Sequence, residues 1–164
     1  MIKIKDKRSV IFHFLMSIIF LDLGNQIRKI SYIPCIENID NPVFKIVHLN
    51  NTGSAFSLFQ QHTLFLTLFG VISLILISLY VYFDISFKKD KFALISLTIF
   101  TGGALGNLVE RIQFGHVVDY IKLNFINFPV FNAFDIMICT GIFLYTVFVL
   151  IGESIDKIKN NGNN

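Results

Sequence analysis

At 164 residues the chain has the length of a single domain, yet 54% of it is apolar and only 15% is charged. Soluble domains carry about 25% charged residues, and here the apolar excess is gathered in blocks, which argues against a water-soluble globule and for a chain built to sit in a bilayer. The net charge of +3 lies on short flanks with no basic stripe interleaved by stacking aromatics, so no nucleic-acid partner is expected.

A helix needs about 20 mostly apolar residues to cross the hydrocarbon core. The first run that qualifies is Val10–Ile27, preceded by Lys3, Lys5, Lys7 and Arg8. A basic start before an apolar run also describes a cleaved leader, but no small-x-small site follows and Asp22 interrupts its end, so the run is expected to be retained. His13 is expected to serve packing or to sit at the interface rather than to relay protons. An ionisable side chain at membrane depth costs about 2.5–3.5 kcal/mol on insertion scales. For Asp22 three uses stay open: reaching the interface, pairing with another helix, or serving a site.

The next stretch, from about Ser31 to Thr63, holds Pro34, Pro42 and the alternating Phe44–Leu49, which predicts a strand. Asn51–Phe56 reads as a turn. Two further spans follow at Leu64–Phe83 and Phe92–Val109, joined by the short charged segment Asp84–Lys91. The third span ends in a run of small residues around Gly102, Gly103 and Gly106, which permits close helix approach. Asn107 and Arg111 are spaced to share a face there. The loop from about Glu110 to Pro129 contains a second strand-like stretch, Val117–Leu123. The fourth span, Val130–Ile151, carries Asp135 about one and a half turns inside, with Asn132 one turn earlier on the same face. That pair either packs helices or lines a cavity.

Basic residues before the first span, between the second and third, and after the fourth put both termini on the cytoplasmic side. The fold expected is an all-α membrane protein of four transmembrane helices with a small β-containing extracytoplasmic cap. Residues 1–160 form one domain and 161–164 a polar tail. Cys35, Cys139 and the histidines His48, His62 and His116 lack metal-ligand spacing, so no metal and no cofactor are expected. Cys139, inside an apolar run, is expected to be a small buried hydrophobe. Asp22, Asn107, Arg111, Asn132 and Asp135 all fall at the outer ends of the spans, beneath the loops. An ion-coupled transporter would string such groups through the whole depth of the bundle, and the inner halves read as almost wholly apolar. A non-catalytic scaffold also stays open; it would tolerate Asp119→Asn and Asp135→Asn alike.

Four blocks in order then resemble the lipoprotein signal peptidase (signal peptidase II) family. They are Asn51-x-Gly53-x-Ala55-Phe56-Ser57, then Gly102-Gly103-Ala104-x-Gly106-Asn107-Leu108 with Arg111. Gly115-His116-Val117-Val118-Asp119-Tyr120 and Phe128-Pro129-x-Phe131-Asn132-x-x-Asp135 complete the set. The resemblance covers nearly the whole chain. It implies a membrane aspartyl endopeptidase with Asp119 and Asp135 as its acid/base pair. Asp22, Asn51, Gly53, Gly103, Asn107, Arg111 and Asn132 are implied as supporting or substrate-binding residues. The implied substrate is a diacylglyceryl-modified prolipoprotein, cleaved before its lipidated Cys at the outer face of the bacterial inner membrane. Membrane lipids, a monomeric state and sensitivity to cyclic peptides of the globomycin type are implied as well. The chain departs from the family pattern at Gln26, where a Lys is usual, and mildly at Ser54 and Glu110. Phe134 stands in place of a small Ala, and it is expected to narrow the pocket or alter inhibitor sensitivity.

Overall fold

The computed structural model describes residues 6–54 and 58–161, with side chains as far as Gly152 in the last helix. Lys3, Lys5, the Ala55-Phe56-Ser57 part of the first motif and the last three residues of the chain lie outside the described residues, as do the side chains of Lys157 and Lys159. The chain runs α1 (Lys7–Ser31), α2 (Pro34–Glu37), β1 (Phe44–Asn51), α3 (Thr63–Asp84), α4 (Lys91–Phe114), β2 (Val117–Leu123) and α5 (Ala133–Asn161). Among the described residues, four helices, α1, α3, α4 and the Ala133–Gly152 part of α5, are long and apolar enough to cross a membrane. The fold is therefore mostly helical, with four candidate spans and a two-stranded sheet.

The helix ends differ from the sequence reading, and each difference has a local cause. The first helix continues through Arg28 and Lys29 to Ser31, with basic residues in its last turn where they face the negative end of the helix dipole. The third span, α4, continues past Val109 to Phe114 and stops at Gly115, which takes a left-handed φ of 75° and donates to the Arg111 carbonyl. Glu110 and Arg111 are thus helical rather than part of a loop. The last helix begins at Ala133, so Asp135 sits in its first turn and Asn132 lies just outside it. The expectation that Asn132 shares a helical face with Asp135 is corrected accordingly.

The bundle is arranged around α4, which is buried over most of its length while α1, α3 and α5 turn their apolar faces outward. At the end bearing the start of α1 and the α3–α4 connection, Val81, Ile85, Ala93, Leu94 and Leu97 form the apolar core. Asp6 closes this end, accepting from Arg8 N at 3.0 Å and Phe87 N at 3.1 Å. The face of α1 that packs inward is made of Ser9, His13, Ser17, Gly24 and Ser31. His13 Nδ1 is 3.1 Å from Thr98 Oγ1 across the α1–α4 contact, in keeping with a packing role. That seam is polar, so the inner halves of the spans are not wholly apolar after all. Small and hydroxyl-bearing residues are what close helix contacts in a bilayer use.

At the opposite end β1 and β2 pair antiparallel, and β2 also pairs along its other edge with Phe131. Cys139 is exposed on α5, contrary to the expectation of a buried hydrophobe.

Candidate active site

The sheet register decides which side chains meet Asp119. Along β2, Val117, Asp119 and Ile121 share one face, and their β1 partners are Asn51, Leu49 and Ile46. Two residues, Val47 and His48, stand opposite the single Tyr120, a two-against-one bulge. Without the extra residue, alternation from Ile46 would bring Asn50 to this face; with it, Asn51 arrives instead. Asn51 Nδ2 donates to Asp119 Oδ2 at 2.8 Å, while its Oδ1 accepts from Gly53 N at 2.9 Å. The turn after β1 therefore fixes the amide that holds the carboxylate.

The second carboxylate is held by a helix cap. Asn132 Oδ1 accepts from Phe134 N at 2.7 Å and Asp135 N at 3.1 Å, and Asp135 Oδ2 accepts in return from Asn132 N at 3.0 Å. This is the reciprocal arrangement of a capping box, with Asn and Asp in the roles often filled by Ser and Glu. The remaining Asp135 oxygen, Oδ1, accepts from Asn107 Nδ2 at 2.8 Å. Asn132 Nδ2 is then free to donate to Asp119 Oδ1 at 2.7 Å, and it lies 3.3 Å from Asn107 Oδ1. One asparagine thus touches both carboxylates and the amide between them. It reaches Asp119 because Phe131 pairs with Ile121, with amides exchanged at 3.0 and 2.8 Å.

Asp119 is only 1% exposed. Burial pushes its carboxyl up to about 6, and the nearby charge of Asp135 adds to the rise; the Asn51 and Asn132 amides and Arg111 work against it. Arg111 donates through its two terminal nitrogens to the carbonyls of Gly53, at 2.9 Å, and Asn107, at 3.3 Å. It ties the first motif to α4 and supplies positive charge to both carboxylates without bonding either.

Asp119, Asp135, Asn51, Asn107 and Arg111 line the polar end of a cavity of about 950 Å³. The cavity's other walls are largely apolar, with Phe65 and Phe69 from α3 and Ile138 and Ile142 from α5. Seven of the residues singled out in the sequence meet here: Asp119, Asp135, Asn51, Gly53, Asn107, Arg111 and Asn132. Gly103 serves a different purpose, since a Cβ there would press on the α5 backbone at Phe134 and Ile138. Asp22 is exposed on α1 and lies outside the cavity lining. Gln26 is likewise exposed. Phe134, 2% exposed, does not line the cavity, so it does not narrow it.

Sequence reasoning missed the ion pair beside the site. Arg28 Nε lies 3.2 Å from Glu110 Oε1, and Glu110 Oε2 accepts from Val118 N at 2.8 Å, next to Asp119. This strut joins α1, α4 and β2. The one available hint was a charged residue at the close of each helix, with nothing to say that they meet. Tyr120, 2% exposed, is another: its hydroxyl accepts from Ala133 N at 3.1 Å, and burial pushes its phenol up to about 12.

Comparison with known proteins shows what the whole chain is similar to. A family model described as signal peptidase (SPase) II matches residues 14–151. The lipoprotein signal peptidase of Enterococcus faecalis is 30% identical, over 96% of this chain and 99% of its own length. That of Streptococcus pneumoniae is 32% identical over the same shares, 96% and 99%. A solved bacterial membrane enzyme superposes with a TM-score of 0.76 over 94% of each chain, at 23% identity, which speaks to the fold.

Proposed function

The chain belongs to the signal peptidase II family, and from that premise we propose that Asp119 and Asp135 form the catalytic pair of an aspartyl endopeptidase acting on lipid-modified prolipoproteins. Family membership carries the coarser reading, a multi-pass bacterial membrane protease that removes signal peptides from prolipoproteins. The observation behind the finer one is the site itself: two carboxylates, each held by two N–H donors, at the polar head of an otherwise largely apolar cavity.

Hydrolysis of a peptide by such a pair needs one shared proton. Two like charges close together disfavour double ionisation, so one carboxyl keeps its proton while the other is a base. The pair titrates as a unit. The ionised carboxylate takes a proton from a water as its oxygen attacks the scissile carbonyl carbon, and the protonated partner meets the developing oxyanion. Collapse of the tetrahedral intermediate breaks the C–N bond as the leaving amine takes up the proton that the first carboxylate drew from water. The signal peptide leaves with a new carboxyl terminus, and the lipidated Cys keeps a free amine. Asn51, Asn107 and Asn132 hold the carboxylates in place, and Arg111 offsets the negative charge.

The substrate's acyl chains would lie in the bilayer and keep the scissile bond near the headgroups, at the depth of the helix ends where the pair sits. Lys7, Arg8, Lys88, Lys89 and Lys91 cluster at the opposite end, which supports a reading with that end in the cytoplasm and the sheet outside. The test is to reconstitute the protein in lipid with a diacylglyceryl-modified prolipoprotein and follow signal-peptide release. Asp119→Asn and Asp135→Asn are each expected to abolish release; wild-type cleavage by either variant would sink the assignment.

A further inference from the structure

Phe134 is a large aromatic residue held between Asn132 and Asp135 in the capping box, yet its ring enters neither the cavity nor solvent. Its backbone amide is part of the cap, donating to Asn132 Oδ1 at 2.7 Å. The ring fills a slot made by two missing side chains. A Cβ at Gly24 of α1 would overlap it, and so would a Cβ at Gly106 of α4. A third glycine, Gly103, lets the Phe134 backbone itself lie against α4. Three helices therefore meet around one ring at the depth of Asp135. Packed interiors transmit volume changes of even a methylene, and Asp135 is bonded directly to the residue that carries the ring.

We propose that Phe134 is a positioning residue, whose ring, keyed into the Gly24–Gly106 slot, sets the first turn of α5 so that the Asp135 carboxylate faces Asp119 across the cavity head. The proposal rests on the reading of Asp135 as a reacting carboxylate. It assigns the ring no contact with substrate. What matters is that the slot is filled, from whichever wall.

That property gives the test. Release of signal peptide from a diacylglyceryl-modified prolipoprotein is measured in lipid, per folded enzyme, for Phe134→Ala, Phe134→Leu and the double variant Gly24→Leu with Phe134→Ala. Emptying the slot should lower kcat by about 10²-fold, as a misplacement of about 1 Å does, with KM little changed and the acid limb of the pH–rate profile displaced. Phe134→Leu should retain more of the rate. The double variant, which refills the slot from α1, should recover most of the lost kcat and restore the profile. If Phe134→Ala keeps the wild-type kcat and pH profile, the proposal is wrong. It is also wrong if the double variant, folded, turns over no faster than Phe134→Ala; should Phe134→Ala not fold, the double variant and Phe134→Leu must still match the wild-type profile. Asp135→Asn is run alongside: activity in that variant refutes the catalytic pair itself, whereas its loss beside an unaffected Phe134→Ala refutes only the positioning role.

Discussion

Asn132 has two separable duties, and two substitutions tell them apart. Its Oδ1 caps α5 through the amides of Phe134 and Asp135, and its Nδ2 donates to Asp119 at 2.7 Å. Asn132→Ala removes both. Loss of an N-cap costs about 0.5–2 kcal/mol, and loss of a hydrogen bond to a charged group about 1.5–3 kcal/mol. The sum, about 2–5 kcal/mol, is a large fraction of a typical domain's stability. Asn132→Ser keeps an oxygen that can accept from the helix amides but has no group to reach Asp119. Its stability should therefore fall only by that lost bond, about 1.5–3 kcal/mol, and not by the cap as well, while kcat falls by about 10²–10³, the usual effect of losing one preorganised donor. Thermal unfolding in lipid and the release assay give the two quantities independently. A Ser variant that cleaves at the wild-type rate would show that the Asn132–Asp119 contact has no catalytic weight.

Further outcomes follow from the same geometry. The Asp119 carboxyl rises from 3.8 to about 6 on folding, so the folded state holds its proton more tightly than the unfolded one. Asp119 then contributes stability that is fully present below about pH 4 and is lost as pH climbs through about 6; Asp119→Asn should flatten that slope in pH-dependent unfolding, and an unchanged slope would place its origin elsewhere. At the strut, Arg28→Met leaves the buried Glu110 without its cation. Breaking a buried pair costs about 3–5 kcal/mol, discounted here because Arg28 is 22% exposed. Adding Glu110→Gln should restore part of the loss, since the neutral amide can still accept from Val118 N; a double variant less stable than Arg28→Met alone would contradict this. Gln26 is exposed and away from the cavity, so Gln26→Lys should change stability by no more than about 0.5 kcal/mol and leave kcat unaltered in the release assay.

The sequence was most readable where one physical rule governs many residues. Four apolar runs of membrane-spanning length are visible because a bilayer demands them, and the strand at Val117–Leu123 is found at the bounds its alternation predicts. Single-residue decisions were less legible. Gly115 and Asn132 set where α4 ends and α5 begins, and a hydropathy pattern passes over both. The polar cluster was foreseen as a gathering at one end of the bundle. Its wiring was not, because the bulge that selects Asn51 over Asn50 is a property of pairing rather than of either strand. Phe134 shows the same limit. Adjacency to Asp135 suggested a pocket wall, but neighbours on a helix point about 100° apart, and the ring turns toward Gly24 and Gly106 instead.

The capping box explains why fold and chemistry are hard to separate in this protein. A helix entering a bilayer must satisfy its first amides, because no water is available in the apolar region to do so. Here the residues that satisfy them are Asn132 and Asp135, the same pair that orients the candidate carboxylates. A mispositioned Asp135 is therefore also an uncapped α5, and the free energy that starts the helix holds the carboxylate in place. The same reasoning applies to Asn51, whose turn with Gly53 ends β1 while its amide holds Asp119. Both carboxylates are thus aimed by backbone-terminating devices, which sit at the ends of secondary structure; on the proposed reading, that is the depth at which a membrane-anchored peptide would present its cleavable bond.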